Sequence, residues 1–169
     1  MLENSYLKLN PIKMANSISR SSQNFMEIAL SEAVAAGKRQ EVPVGAIIVD
    51  SNTGSIVAAS GNRTEELNDA TAHAEMLVLR KASEVLGTRR LIHCDLYVTL
   101  EPCTMCSAAI SLSRIRRLYY GADDPKSGGV EHGGKFFSQS TCHHRPDVYG
   151  GINEVRSQKL LKEFFHNKR

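Results

Sequence analysis

Apolar residues at Phe25, Ile28, Ala29, Ala33 and Ala36 recur at helical spacing and stop at Gly37, which predicts an amphipathic helix with one buried face. The period then changes. Val44 to Val49 is a continuous apolar run and reads as a buried strand, turning at Ser51 to Gly54 and returning from Ile56 to Ala59 as a hairpin. A polar loop runs to Asp69, after which Met76, Leu77, Leu79 and Leu86 restore the helical period up to a stop at Gly87, with Thr71 as the expected N-cap. Leu96 to Leu100 reads as a strand, Pro102 suits the first position of a helix reaching about Ser113, and Arg117 to Gly121 reads as a further strand. A glycine-rich connection through Gly128-Gly129 and Gly133-Gly134 leads to a short apolar piece near Val148-Tyr149. The last helix carries Leu160, Leu161, Phe164 and Phe165 on one face, read as core packing. Strand and helix alternate through this second half, which implies a three-layer α/β/α sandwich whose later strands run parallel.

Residues 1–22 are rich in Ser, Asn and Lys without sustained periodicity and read as a disordered leader, leaving 23–169 as a single domain. The 41% hydrophobic content is that of a globular chain. No run approaches the roughly 18 apolar residues of a membrane span, and no signal peptide is visible, so cytoplasm is the expected location. Net charge is +3, too mild to identify a nucleic-acid binder alone. The cations are unevenly placed, however, with Arg89-Arg90, Arg114, Arg116-Arg117, His143-His144-Arg145 and the terminal His166 to Arg169 crowding the second half. Taken alone they read equally well as solvated faces.

Chemistry enters with His73-Ala74-Glu75 and Pro102-Cys103-Thr104-Met105-Cys106. One imidazole, two thiolates and a spare carboxylate are the ligand set of a catalytic zinc, which takes three protein ligands and keeps a fourth position open. A structural zinc would want a fourth Cys or His, whereas a zinc that activates water wants a proton carrier such as Glu75 beside it. Each fragment starts a predicted helix, so two helix N-termini would point at the metal and lower the thiol pKa values. Alone, C-x-x-C could be a redox dithiol or half a zinc ribbon, but thioredoxin-like context and a second Cys pair are both missing. Cys94 and Cys142 read as buried thiols in a reducing compartment. Cys142-His143-His144 read as loop residues rather than a second metal site, and His93 and His132 show no partners.

Taken together, these residues resemble the bacterial tRNA-specific adenosine deaminases of the cytidine-deaminase-like superfamily. The resemblance runs from about Phe25 to the C-terminus. It is carried by Val42 to Ala46, Gly61-Asn62-Arg63, Thr71 to Glu75, Leu96 to Cys106, Ser113-Arg114-Ile115, Gly121 to Gly128 and Phe164-Phe165. It implies a mixed five-stranded sheet, one zinc per chain on His73, Cys103 and Cys106, and Glu75 as the proton shuttle of a hydrolytic deamination of adenine at C6. It also implies Asn62 as a purine-contacting amide, Asp124 at the mouth of the site, and a homodimer acting on adenosine at the wobble position (34) of a tRNA anticodon loop. Arg145 is a further candidate for the RNA. Two rivals stand beside this reading: a deaminase of a free base or nucleoside such as guanine or cytidine, and a zinc-stabilised RNA-binding module without catalysis.

Overall fold

The computed structural model of the chain describes the backbone of residues 11–168 and the side chains of 24–168. The first helix, α1, spans Pro11–Lys38, so it starts inside the stretch expected to be a leader; residues 1–10 of that stretch lie outside the described residues. Proline suits a first helical turn, where its missing N–H would have no partner anyway. Strands β1 (Gly45–Asp50) and β2 (Ile56–Gly61) form the expected hairpin. Helix α2 (Ala74–Leu86), β3 (Cys94–Leu100), α3 (Thr104–Leu112) and β4 (Arg117–Ala122) follow, then a short 3-10 turn at Phe136–Ser138, β5 (Asp147–Tyr149) and α4 (Glu154–Asn167).

The five strands form one mixed sheet in the order β2-β1-β3-β4-β5, antiparallel across β2-β1-β3 and parallel across β3-β4-β5. Alternate residues of each central strand face opposite layers. Ile48, Leu96, Val98 and Leu118 pack with Val78, Leu79 and Ala82 of α2 and Ile110 of α3. On the other face Ile47, Val49, Tyr97 and Tyr119 pack with Met26, Ala29 and Leu30 of α1 and Leu160 of α4. The result is the three-layer sandwich that the alternation implied.

Gly45 and Gly61 face each other across β1 and β2. A Cβ on Gly45 would lie 2.1 Å from the carbonyl oxygen of Ala29, and one on Gly61 would lie 2.6 Å from that of Glu32. The pair forms a smooth floor on which the backbone of α1 rests, and only glycine permits that approach.

The apolar face of α4 is less covered than its period suggests. Leu160, Leu161 and Phe164 are half-buried, and Phe165 is 51% exposed. Lys168 closes this end of the helix, its ammonium over the Phe164 ring at 4.6 Å and donating to the carbonyl of Gln40 at 3.3 Å. None of the described helices is long and apolar enough to cross a membrane.

Candidate active site

Helices α2 and α3 lie on one face of the sheet, and α3 starts just past the carboxyl end of the parallel strand β3. Such an edge is the usual place for a site in a sheet of this kind. The sequence points to Thr71 and Pro102 as the boundary residues, and the structure moves both. The N-cap of α2 is His73, with φ −68° and ψ 150°, and the N-cap of α3 is Cys103, with φ −68° and ψ 172°. Thr71 instead turns its hydroxyl to Asp69 Oδ1 at 2.7 Å, and Pro102 precedes the cap, its carbonyl accepting from Gly129 N–H at 2.8 Å.

Neither N-cap side chain bonds its own helix. They are thereby free to meet one another. His73 Nδ1 lies 3.7 Å from Cys103 Sγ and 3.6 Å from Cys106 Sγ, and the three ligand atoms fall within 4.8 Å of one another. Donors bound to one tetrahedral zinc, at about 2.3 Å for sulfur and 2.0–2.1 Å for nitrogen, would stand about 3.6 Å apart.

Protonation tells the same story. The Cys106 thiol, and after it His73, pull Cys103 down to about 4. Cys106 is pushed well up by the neighbouring Cys103 sulfur, by burial and by Glu75. Each sulfur disfavours a second thiolate beside it, and a cation held between them would relieve that repulsion. Contact with Cys103 raises His73. The donor set, its spacing and its charge therefore fit a zinc with one position left over.

Glu75 occupies the first turn of α2 and is only 4% exposed. Burial raises its carboxyl above the ordinary range, although its own backbone N–H, His73 and the Cys106 side chain oppose the shift. A buried carboxyl held beside a metal site can take up and return a proton near neutral pH.

Asn62 is buried, and its Oδ1 accepts the N–H of Ala74 at 2.8 Å. It thus caps α2 from twelve positions upstream, supplying the bond that His73 does not make. Asp124 uses its Oδ1 to accept the N–H groups of Lys126 and Ser127, at 3.1 and 3.0 Å, which closes a turn. That turn leads to Gly128, which pairs with Cys103, so Asp124 lies in a loop bordering the cysteines. Arg145 is not brought to the cluster. It is exposed and follows His144, whose carbonyl accepts from Ser111 Oγ in the last turn of α3, at the opposite end from Cys103. Cys94 is buried and pushed up to about 11 by burial, whereas Cys142 is only half-buried.

Two further buried carboxylates, Glu101 and Glu41, organise the rim. Glu101 accepts the N–H groups of Asp124, Val130, Glu131 and His132 at 2.8–3.1 Å and pairs with His132 Nδ1 at 2.7 Å, giving that histidine a partner. Glu41 accepts from the Thr64 hydroxyl and the N–H groups of Glu65 and Glu66, which anchors the loop following Asn62. The one local hint is that Glu101 sits in a buried strand-to-helix junction beside Pro102.

The family profile described as "Cytidine and deoxycytidylate deaminase zinc-binding region" matches residues 19–122. A protein of Agrobacterium fabrum named tRNA-specific adenosine deaminase is 63% identical over 146 residues, covering 86% of this chain and 95% of its own. One of the same name from Rickettsia felis is 48% identical over 140 residues, covering 83% and 97%. A solved structure from studies of A-to-I editing by tRNA:A34 deaminases at the wobble position of transfer RNA superposes with a TM-score of 0.79 at 64% identity, covering 82% of this chain and 99% of that one. On sequence and on fold alike, this chain belongs to the tRNA-specific adenosine deaminases.

Proposed function

We propose that the chain is a zinc hydrolase that deaminates adenosine to inosine at the wobble position of a tRNA anticodon, in the cytoplasm and as a homodimer. The observation that carries the chemistry is the convergence of His73 Nδ1 and the Cys103 and Cys106 sulfurs beside the buried carboxyl of Glu75. The substrate rests on the relatives, which bear the name tRNA-specific adenosine deaminase.

In this reading His73, Cys103 and Cys106 hold one zinc. When bound, the metal supplies Lewis acidity that makes water a nucleophile near neutral pH. Glu75 takes one proton from the attacking water and passes it to the ring nitrogen, then takes the second from the hydroxyl added at C6 and passes it to the departing ammonia as the C–N bond breaks, a double task suited to a carboxyl whose affinity for protons burial has raised. Asn62 holds the base edge. Its oxygen is committed to Ala74, so it presents the amide N–H2 as a donor to a purine acceptor. Asp124 stands at the mouth, stiffened by its own turn. The adenosine leaves its stack to enter the site, which is least costly in an unpaired loop.

Incubation with a tRNA bearing adenosine at the wobble position, followed by nucleoside analysis, should yield inosine, and elemental analysis should find about one zinc per chain. Faster turnover of free guanine or cytidine would overturn the substrate, and zinc retained after replacing both Cys103 and Cys106 by Ala would overturn the ligands. Sedimentation of the intact protein tests the dimer.

A further inference from the structure

The arginines scattered along the second half of the sequence converge in space at the end of the sandwich opposite the active site. Arg89 and Arg90 follow the C-terminus of α2, Arg114 follows that of α3, and Arg116 leads into β4. A backbone bond from Leu91 N–H to the Ser113 carbonyl at 2.7 Å ties the two helix exits together. Arg90, Ile92, Arg114, Arg116 and His144 line one concave pocket of about 430 Å³ there. α2 alone, at 13 residues, puts about 20 Å between this pocket and the His73 end.

The charges in the pocket are unevenly compensated. Asp95 fixes Arg116 through two bonds of 2.8 and 2.6 Å. Arg90 is exposed and has no carboxylate partner among the described residues. Arg114 holds a left-handed backbone (φ 61°) and spends one guanidinium nitrogen on the His143 carbonyl at 3.2 Å, which aims the group without neutralising it. His144 Nε2–H donates to the Ile115 carbonyl, 2.6 Å away; a carbonyl only accepts, so this ring nitrogen carries its proton. Exposed Arg89 and Arg145 add to the same end. Helix C-termini attract cations, but two helix ends offset only about one unit charge, fewer than the arginines gathered there.

We propose that this pocket is a phosphate-binding site that takes the RNA backbone of the substrate outside the nucleotides held at the zinc site. The inference rests on the tRNA reading above. Arg90 and Arg114 each neutralise a phosphate, Arg116 is the fixed wall, and the contact carries register and affinity rather than base identity. It would let the protein distinguish a folded tRNA from a short single-stranded fragment containing the same adenosine.

The test measures binding of whole tRNA and of an adenosine-centred trinucleotide to the zinc-loaded protein, with Arg90→Glu, Arg114→Gln and the double variant beside the parent. Binding is read directly, without turnover, so a failure of the deamination reading leaves this experiment interpretable. Each lost phosphate contact should lower the slope of log affinity against log salt by about 0.7–0.9. For the double variant this means that, between 50 and 200 mM salt, tRNA affinity falls roughly tenfold less than the parent's, by the same counterion arithmetic. Zinc content and trinucleotide binding should stay at the parent's level. An unchanged slope would overturn the proposal, as would equal losses for tRNA and trinucleotide. Inorganic phosphate that binds the parent but not the double variant, without a change in the tRNA slope, would reassign the pocket to a small anion and overturn the RNA contact.

Discussion

Glu101→Gln tests whether a buried carboxylate sets the rim of the site. The Glu101 side chain is fully buried, and its two oxygens divide five donors. Oε1 accepts from the backbone of Val130, Glu131 and His132, and Oε2 accepts from the backbone of Asp124 and from His132 Nδ1. Glutamine preserves the shape but turns one oxygen into an N–H2 that faces donors. In the better of its two orientations the amide nitrogen replaces Oε2, so the Asp124 N–H loses its acceptor while the half-exposed His132 turns its Nδ1 lone pair to the new N–H2; in the other, three backbone donors lose theirs. At about 1–3 kcal/mol for a stranded donor, the cost in the better orientation is about 1–3 kcal/mol, a sizeable part of the net stability of a domain. For a chain of this size that corresponds to a fall in Tm of roughly 2–12 °C. Burial alone would raise the Glu101 pKa, but the backbone donors outweigh it and hold the carboxyl below its ordinary value of 4.5. Its contribution is therefore complete above that value and is lost as pH falls through the lower folded-state pKa. Urea denaturation at pH 7 and at a series of acid pH values is the assay. A difference below about 1 kcal/mol at pH 7, or one that fails to shrink on acidification, refutes the reasoning.

Glu75→Gln should keep its fold and metal and lose about 100-fold or more in deamination for each proton transfer it serves; single-turnover inosine formation with a zinc assay alongside checks both halves, and near-normal rates would identify another base. Asn62→Asp retains an acceptor for Ala74 N–H but removes the amide donor, so it should hold thermal stability within about 1 kcal/mol while Asn62→Ala loses a cap worth about 0.5–2 kcal/mol. Both variants should lose turnover, and an Asn62→Asp enzyme as active as the parent would show that the donor is not used. Gly45→Ala pushes a methyl against the α1 backbone, where no flexible side chain can give way, and should cost at least about 1–3 kcal/mol by overpacking; an unchanged denaturation midpoint would mean that α1 does not rest on this strand as described.

Much of the architecture is legible because each element declares itself over a few residues. The continuous apolar run at Val44 to Val49 marks a strand that ends up central in the sheet, and Gly87 does stop α2, in a left-handed conformation with φ 62°. Boundaries are harder to read because they depend on distant partners. Thr71 is the best local N-cap, yet α2 starts at Ala74, with His73 at the cap, because Asn62 supplies the capping oxygen from another loop. The face of α4 is legible as a stripe, but a period says which residues share a face and not how fully a neighbour covers it, hence the half-exposed Phe165.

The same distinction divides the candidate active site. His73, Glu75, Cys103 and Cys106 are readable because their chemistry is concentrated in two short fragments, each at a helix start. Glu41 and Glu101 are not, since their partners lie 23–31 positions downstream and are mostly backbone N–H groups, which every sequence offers everywhere. The two kinds of residue are physically linked. Glu41 ties down the loop that follows Asn62, whose amide caps the helix bearing His73 and Glu75. Glu101 ties down the loop whose Gly128 pairs with Cys103. Each half of the cluster thus has its own buried carboxylate, and disturbing either should move one ligand relative to the other two. A tetrahedral zinc held as proposed would tolerate little such movement, so the stability of the two loops and the affinity for metal should be coupled through residues that touch neither metal nor substrate.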